Sequence, residues 1–148
     1  MKVFIDTNII LEYLMQREYA NAVEIVLDIF RKRAIQVFMS AGGFYSLLYI
    51  IDNYLKKELG IGQPERLSAL RNIATQVLED FCVAGQDNQI LLQGISDTMF
   101  TDLEDSCQYQ AALEAGCSLL LTFNITDYPL DSNGPIKVLT PQQYLDNS

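Results

Sequence analysis

Short apolar runs of β-prone residues alternate along the chain with longer stretches in which apolar residues recur three and four positions apart. The short runs predict strands at residues 3–5, 36–39, 81–83, 118–121 and 136–139. The longer stretches predict the intervening helices and a last helical turn that starts at Pro141. Because strands separated by helices at this spacing form parallel sheets covered on both faces, the pattern predicts an α/β fold with a short central parallel sheet.

Polar turns and prolines set the predicted helix boundaries. The first helix begins near Asn8, the second closes with the basic residues 31–33, and the third runs from about 44 to 57. Pro64 suits the first turn of a fourth helix, and a short helix is predicted over 88–94.

A capping box, Thr101-Asp102-Leu103-Glu104, predicts that a helix starts with Thr101 as its N-cap. Asp102 and Asp105 are three residues apart and are expected to share the solvent side of its first turns. The residues expected to face the core recur every four positions and are Leu103, Cys107, Ala111 and Ala115.

Composition indicates a single domain spanning residues 1–148. Hydrophobic residues make up 49% of the chain, enough to build a core without disulfides or structural metals. The three cysteines lack CxxC spacing and lie in or beside apolar segments, so we expect reduced core residues. No signal peptide and no membrane span is predicted, which favours a cytoplasmic protein.

The charge balance restricts the chemistry. A net charge of −9 argues against a broad basic surface for nucleic acid, although residues 31–33 and Lys56-Lys57 could contact a phosphate backbone locally. Solvated charge at helix ends explains both basic groups equally well. The chain has no histidine, so polar chemistry must come from carboxylates, hydroxyls, lysines or a bound cation, and oxygen ligands favour Mg²⁺ or Mn²⁺.

Four polar positions follow predicted strands or open predicted helices: Asp6, Asp105, Asn124 and Asp127. Ligands bind at the carboxyl ends of strands in open α/β sheets, so these side chains are expected to meet in one crevice. Each has a simpler explanation when taken singly. Asp6 could cap the first helix, unless Thr7 or Asn8 does so, Asp105 suits a helix N-terminus, and Asn124 and Asp127 suit a turn.

Together these segments resemble a known family. FIDTNIIL, FTDLEDSCQYQAALEAG, LLLTFNITDYP and PIKVLTPQQYL are similar, in order and spacing, to the motifs of PIN domains, and most similar to the branch of the VapC-type toxins. The resemblance implies a three-layer α/β/α nuclease fold whose acidic residues bind Mg²⁺ or Mn²⁺ and cleave RNA to 5′-phosphate products. It also implies the toxin of a type II toxin–antitoxin pair, an antitoxin partner and a homodimer.

The resemblance also implies individual roles. Asp6 and Asp105 would be the metal ligands, while Asn124 stands where many PIN domains have a further aspartate and Asp127 would complete or replace that function. Residues expected to support the site are Thr7, Asn8, Ser46, Asp102 and Thr122. The chain departs from the family at Ser46, where many members have glutamate, and at Phe123, where the branch tends to have arginine.

Three other functions compete with a ribonuclease. A PIN-fold protein with little or no catalysis could bind RNA or a protein partner, which Ser46 and Phe123 favour. A phosphatase of the haloacid-dehalogenase type also starts with an aspartate after its first strand, but it needs a second aspartate where this chain has Asn8. A receiver domain would want paired acids near the N-terminus and a lysine after a late strand, and residues 122–124 do not provide that lysine.

Overall fold

A five-stranded, all-parallel sheet forms the centre of the fold. The computed structural model describes residues 1–129 and 134–147. The strands are β1 (Lys2–Ile5), β2 (Gln36–Ser40), β3 (Cys82–Ala84), β4 (Leu119–Leu121) and β5 (Lys137–Leu139). Their order in the sheet is β3-β2-β1-β4-β5. Phe4 lies beside Phe38 of β2 on one side and Leu120 of β4 on the other. The predicted parallel sheet is therefore confirmed.

Seven helices connect and cover these strands within the described residues. They are α1 (Thr7–Leu14), α2 (Ala20–Lys32), α3 (Ala41–Lys57), α4 (Glu65–Asp80), α5 (Asn88–Ser96), α6 (Leu103–Glu114) and α7 (Pro141–Asp146), with a 3₁₀ turn at Ile125–Asp127. Helix α3 begins three residues before the predicted start because the Ser40 side chain caps it, accepting a hydrogen bond from the Gly43 N–H at 2.9 Å.

Two hydrophobic clusters lie on opposite faces of the sheet. Val3 and Ile5 belong to the cluster covered by α1, α2, α3, α4 and α7, whereas Phe4 belongs to the one covered by α6. This division follows from the alternation of side chains along a strand. Helix α5 packs against α6. The architecture is thus the expected three-layer α/β/α fold.

Helix α6 corrects the predicted cap and core face. Asp102, not Thr101, is the N-cap, and its Oδ1 accepts a hydrogen bond from the Asp105 N–H at 3.0 Å. Leu103 is 54% exposed instead of facing the core. The buried residues of α6 are Ser106, Gln108, Tyr109, Ala111 and Ala112. Because this buried face contains polar residues, the pattern of apolar residues in the sequence did not identify it.

The basic groups lie at helix ends, as one of the two interpretations predicted. Arg31 and Lys32 occupy the last turn of α2 and contact Asp28 at 3.5 and 2.9 Å, while Lys56 and Lys57 end α3. Such positions suit the negative end of a helix dipole. Within the described residues, no helix is both long enough and apolar enough to cross a membrane.

Gly43 allows the N-terminus of α3 to approach α1. A Cβ atom at position 43 would collide with Thr7 Oγ1 and lie 2.9 Å from Ser40 Oγ, whereas a Cβ at Gly42 would meet nothing within 4 Å. We therefore expect Gly43→Ala to lower the free energy of unfolding by about 1 to 3 kcal/mol, as overpacking usually does.

Gly42→Ala is the matched control. It adds the same methyl group to the same helix turn, and alanine is favoured over glycine in helices by up to about 1 kcal/mol, so unchanged or raised stability is expected. Urea unfolding of the two variants beside the parent measures the difference. Equal stability of the two variants would show that the close approach at Gly43 is unimportant.

Candidate active site

A cleft of about 270 Å³ opens at the carboxyl ends of β1 and β4. Asp6 comes directly off β1, Asn124 follows β4, and the first turns of α6 form the facing wall. The lining residues are Asp6, Thr7, Asn8, Leu11, Ser46, Ile50, Asp102, Glu104, Asp105, Gln108, Asn124 and Asp127. All four candidate catalytic residues therefore border one hollow, as the crevice argument predicted.

Asp6 is a buried carboxylate with several hydrogen-bond donors around it. Its Oδ2 accepts a hydrogen bond from Thr122 Oγ1 at 3.0 Å, and its Oδ1 is 3.4 Å from the Asn8 N–H. Burial raises the pKa of Asp6, while the hydrogen bond from Thr122 is the largest of the effects that lower it. Asp6 is also the N-cap of α1, so the suggestion that Thr7 or Asn8 takes that role is wrong.

Asp105 is the most perturbed of the candidate acids. Burial raises its pKa to about 7, helped by repulsion from four other carboxylates, of which Asp102 acts most strongly, followed by Asp6, Asp127 and Glu104. Asp6 and Asp105 line the same cleft, and the charge of Asp6 contributes to the raised pKa of Asp105. Such a perturbed acid in a cleft is typical of functional sites.

Thr122 follows β4 and links Asp6 to the loop that begins at Asn124. While its hydroxyl donates to Asp6, the same oxygen accepts a hydrogen bond from the Asn124 N–H at 3.1 Å. Asp127 ends the 3₁₀ turn that follows, and the Asp127 N–H bonds to the Asn124 carbonyl at 3.0 Å. The Thr122 hydroxyl, predicted to support this loop, thus contacts both the loop and Asp6, and its role in the site stays a prediction.

The two departures from the family pattern are visible in the structure. Ser46 is exposed on α3 and lines the cleft without adding a charge. The nearest acid along α3, Asp52, is engaged with Arg66 at 3.0 Å. Phe123 packs against Tyr19 with ring centroids 5.6 Å apart.

Sequence reasoning missed three residues of the site. Glu104 was assigned to helix capping, yet it lines the cleft, and burial together with Asp6 and Asp102 raises its pKa. Gln108 lies three residues after Asp105, so the helical spacing could have placed it on the same wall. Tyr128 follows the predicted turn at Asn124 and Asp127 and carries no signal of its own in the sequence, but its hydroxyl donates to Asp105 Oδ1 at 3.4 Å.

The sequence profile of the PIN domain family matches residues 2–126. The chain belongs to the PIN domain family. PIN domains are nuclease-type enzymes and typically depend on a divalent metal. The matched segment contains Asp6, Asp105 and Asn124 and ends one residue before Asp127. No curated protein matches the chain significantly.

The donor set of this PIN domain suits a hard cation. The described residues around the cleft include five acids and no lysine or arginine, so the charge there lacks a protein counterion. Two buried oxygens, Thr7 Oγ1 and Gln108 Oε1, find no hydrogen-bond partner among the described residues. Carboxylate, amide and hydroxyl oxygens are the ligands that Mg²⁺ and Mn²⁺ prefer.

The described residues of this cleft do not form a complete set of metal ligands by themselves. Among residues 1–129 and 134–147, no three His, Cys, Asp or Glu side chains come close enough together to hold a metal ion. Mg²⁺ is commonly held by one or two carboxylates together with waters and substrate phosphates, which a pair of aspartates can satisfy. The assignment of Asp6 and Asp105 as that pair stays a prediction.

Proposed function

We propose that this PIN domain is a Mg²⁺- or Mn²⁺-dependent endoribonuclease. The observation that carries the proposal is the accumulation of acids at the carboxyl ends of β1 and β4, where burial and, after it, repulsion raise the pKa of Asp105 to about 7. A protein gains nothing in stability from such a cluster, and a divalent cation is the partner that would neutralise it.

The residues that line the cleft would have different roles in this reaction. Asp6 and Asp105 would hold the cation, which when bound activates water and neutralises charge on the scissile phosphate. Thr122 keeps the Asp6 carboxylate oriented through its hydroxyl, and Asn124 and Asp127 border the space beside the two acids. With no histidine in the chain, the leaving oxygen takes its proton from water, and a 5′-phosphate product is expected.

Cleavage of a mixed pool of structured and single-stranded RNA tests the proposal. The parent protein should cut RNA when Mn²⁺ or Mg²⁺ is added, and EDTA should stop the reaction. End-labelling of the products should reveal 5′-phosphates. Cleavage that persists in EDTA would contradict the proposed mechanism, and no cleavage of any RNA with either metal would contradict the proposed activity.

A second candidate is a PIN-fold protein that binds RNA or a protein partner with little catalysis. The exposed Ser46 favours it, because one acid fewer lines the cleft than in many PIN domains. Metal titration separates the two functions. A catalytic protein should gain cleavage as Mn²⁺ rises, whereas a binding protein should retain RNA without cutting it at any metal concentration.

We further propose that the nuclease is the toxin of a type II toxin–antitoxin pair acting in the cytoplasm. The motifs around Asp6 and Asp105 that resemble VapC-type toxins support this assignment. Induced expression should arrest growth, and Asp6→Asn should relieve the arrest at equal protein level. Co-expression of an adjacent gene for a small DNA-binding protein should also restore growth if that gene encodes the antitoxin.

We also propose a homodimer. Exposed apolar residues follow one another along α5, the segment before α6 and the first residue of α6: Leu92, Ile95, Met99 and Leu103. Apolar surface of this kind usually marks an interaction site. Light scattering should give twice the monomer mass, and Leu92→Glu combined with Ile95→Glu should halve it. A parent protein that remains monomeric at high concentration would contradict the dimer.

A further inference from the structure

Tyr128 is the one tyrosine among the described residues whose hydroxyl is hydrogen-bonded to a candidate metal ligand. It follows the 3₁₀ turn Ile125–Asp127, and its hydroxyl donates to Asp105 Oδ1 at 3.4 Å. The contact joins the loop after β4 to the first turn of α6, across 23 residues of sequence. A donor from one side of the cleft thus reaches an acid on the other.

The ring of Tyr128 is fixed by its surroundings. The residue is only 5% exposed, and its ring packs edge-on against Phe100 with centroids 5.8 Å apart and an interplanar angle of 88°. The Tyr128 N–H also bonds to the Ile125 carbonyl at 3.2 Å. A ring held in this way has little freedom to swing its hydroxyl away from Asp105.

The hydroxyl of Tyr128 is a neutral donor beside a group of acids. Asp105 lines the cleft together with Asp6, Asp102, Glu104 and Asp127. Like charges in one cleft repel one another. Without a neutral donor at a fixed place, that repulsion would favour side-chain orientations of Asp105 that point away from the other acids.

We propose that Tyr128 is a positioning residue that fixes the orientation of the Asp105 carboxylate for cation binding. This inference rests on the proposed function. It assigns one oxygen of Asp105 to the tyrosine hydroxyl and leaves the other to face the cleft. The arrangement parallels the opposite wall, where the Thr122 hydroxyl donates to one oxygen of Asp6. Hydrogen-bond partners of metal ligands act in this way by fixing the orientation of the ligand.

Tyr128→Phe tests the inference because it removes the hydroxyl and keeps the ring. Mn²⁺ binding, followed by electron paramagnetic resonance of the free ion, should weaken by about tenfold or more, the usual effect of losing such a partner. RNA cleavage should require correspondingly more Mn²⁺. At saturating metal, cleavage should recover in large part, since Asp105 itself is still present.

Tyr109→Phe is the matched control. Tyr109 is also buried, and its ring also packs against Phe100, at 5.7 Å. Within the described residues, however, only the Tyr128 hydroxyl, and not that of Tyr109, is hydrogen-bonded to Asp105. Its Mn²⁺ affinity should equal that of the parent. Thermal unfolding of both variants without metal shows whether either substitution disturbs the shared aromatic cluster.

A third comparison shows whether Tyr128 acts through Asp105. In an Asp105→Asn background, Tyr128→Phe should cause no further loss of Mn²⁺ affinity, because the carboxylate that it orients is gone. If the parent binds Mn²⁺ and Tyr128→Phe binds it equally well, the inference is overturned while the proposed nuclease stands. If the parent itself binds no Mn²⁺, both are overturned.

Discussion

Asp6→Asn is expected to reduce Mn²⁺-dependent RNA cleavage by at least about 100-fold, because it removes a proposed metal ligand and not merely a neighbour of one. The fold should survive. Asparagine caps helices about as well as aspartate, so the first turn of α1 keeps its partner, and the variant no longer buries a carboxylate whose pKa is raised. Initial cleavage rates at saturating Mn²⁺ measure the effect.

Asp87→Asn is the matched control for Asp6. Asp87 caps α5, where its side chain accepts a hydrogen bond from the Ile90 N–H at 3.0 Å, and it lies outside the cleft. Both substitutions therefore remove one negative charge at a helix N-cap. Normal cleavage by the Asp87 variant beside loss in the Asp6 variant is the expected result. Equal cleavage by both variants would remove Asp6 from the mechanism.

Asp105→Asn should have opposite effects on activity and on stability. Cleavage should again fall by about 100-fold, since a proposed ligand is lost. Without metal, however, the variant should be more stable than the parent above about pH 7. The pKa of Asp105 in the folded protein is raised to about 7, so ionising this group costs folding free energy that an amide does not.

The sign of this pH dependence follows from proton binding. Below about pH 4 the carboxyl is protonated in both the folded and the unfolded chain, so parent and variant should differ little. As the pH rises to about 7, the unfolded chain loses this proton first, and the parent loses stability relative to the variant. Because the carboxyl is partly exposed, solvent screening limits the expected gain to about 1 to 2 kcal/mol.

Urea unfolding from pH 4 to 8 measures this gain, with Glu114→Gln as the control. Glu114 is an exposed acid at the end of the same helix and does not line the cleft. Its variant removes the same charge outside the acid cluster, so a larger gain for Asp105→Asn identifies the cluster as the cause. Adding Mn²⁺ should then stabilise the parent more than the Asp105 variant, because the parent binds the ion more tightly. A pH-independent difference would refute the assignment of the raised pKa to Asp105.

The order of strands and helices could be predicted because burial and periodicity coincide in most of the chain. The three residues of β4, Leu119 to Leu121, are buried on both faces of the sheet, which produces the continuous apolar run seen in the sequence. Asp6 could be placed at the strand end for a similar reason, as the first polar residue after β1. The spatial order of the strands depends on how the helices cross over, which local patterns do not record.

The wall formed by α6 could not be predicted in the same way. Ser106 and Gln108 are buried polar residues, so they interrupted the apolar pattern and shifted the predicted core face onto Leu103. Packing against α5 explains the burial of Ser106, whose hydroxyl donates to the Gly94 carbonyl. That hydrogen bond joins α6 to α5, so the local sequence around Ser106 does not predict it.

The role of Tyr128 was hidden for a related reason. In the sequence it follows the predicted turn and stands before Pro129, and only the packing of its ring on Phe100 brings its hydroxyl to Asp105. Residue types and spacing can identify the acids of such a site. The neutral groups that orient those acids are determined by tertiary contacts.

Direct measurement of Mn²⁺ binding by the parent, Asp6→Asn, Asp105→Asn and the double variant is the most decisive experiment. If the two acids share one ion, each single variant should lose about tenfold or more in affinity, and the double variant should lose less than the sum of the two losses in free energy. Binding that survives in either single variant with the affinity of the parent would contradict a cation shared by Asp6 and Asp105.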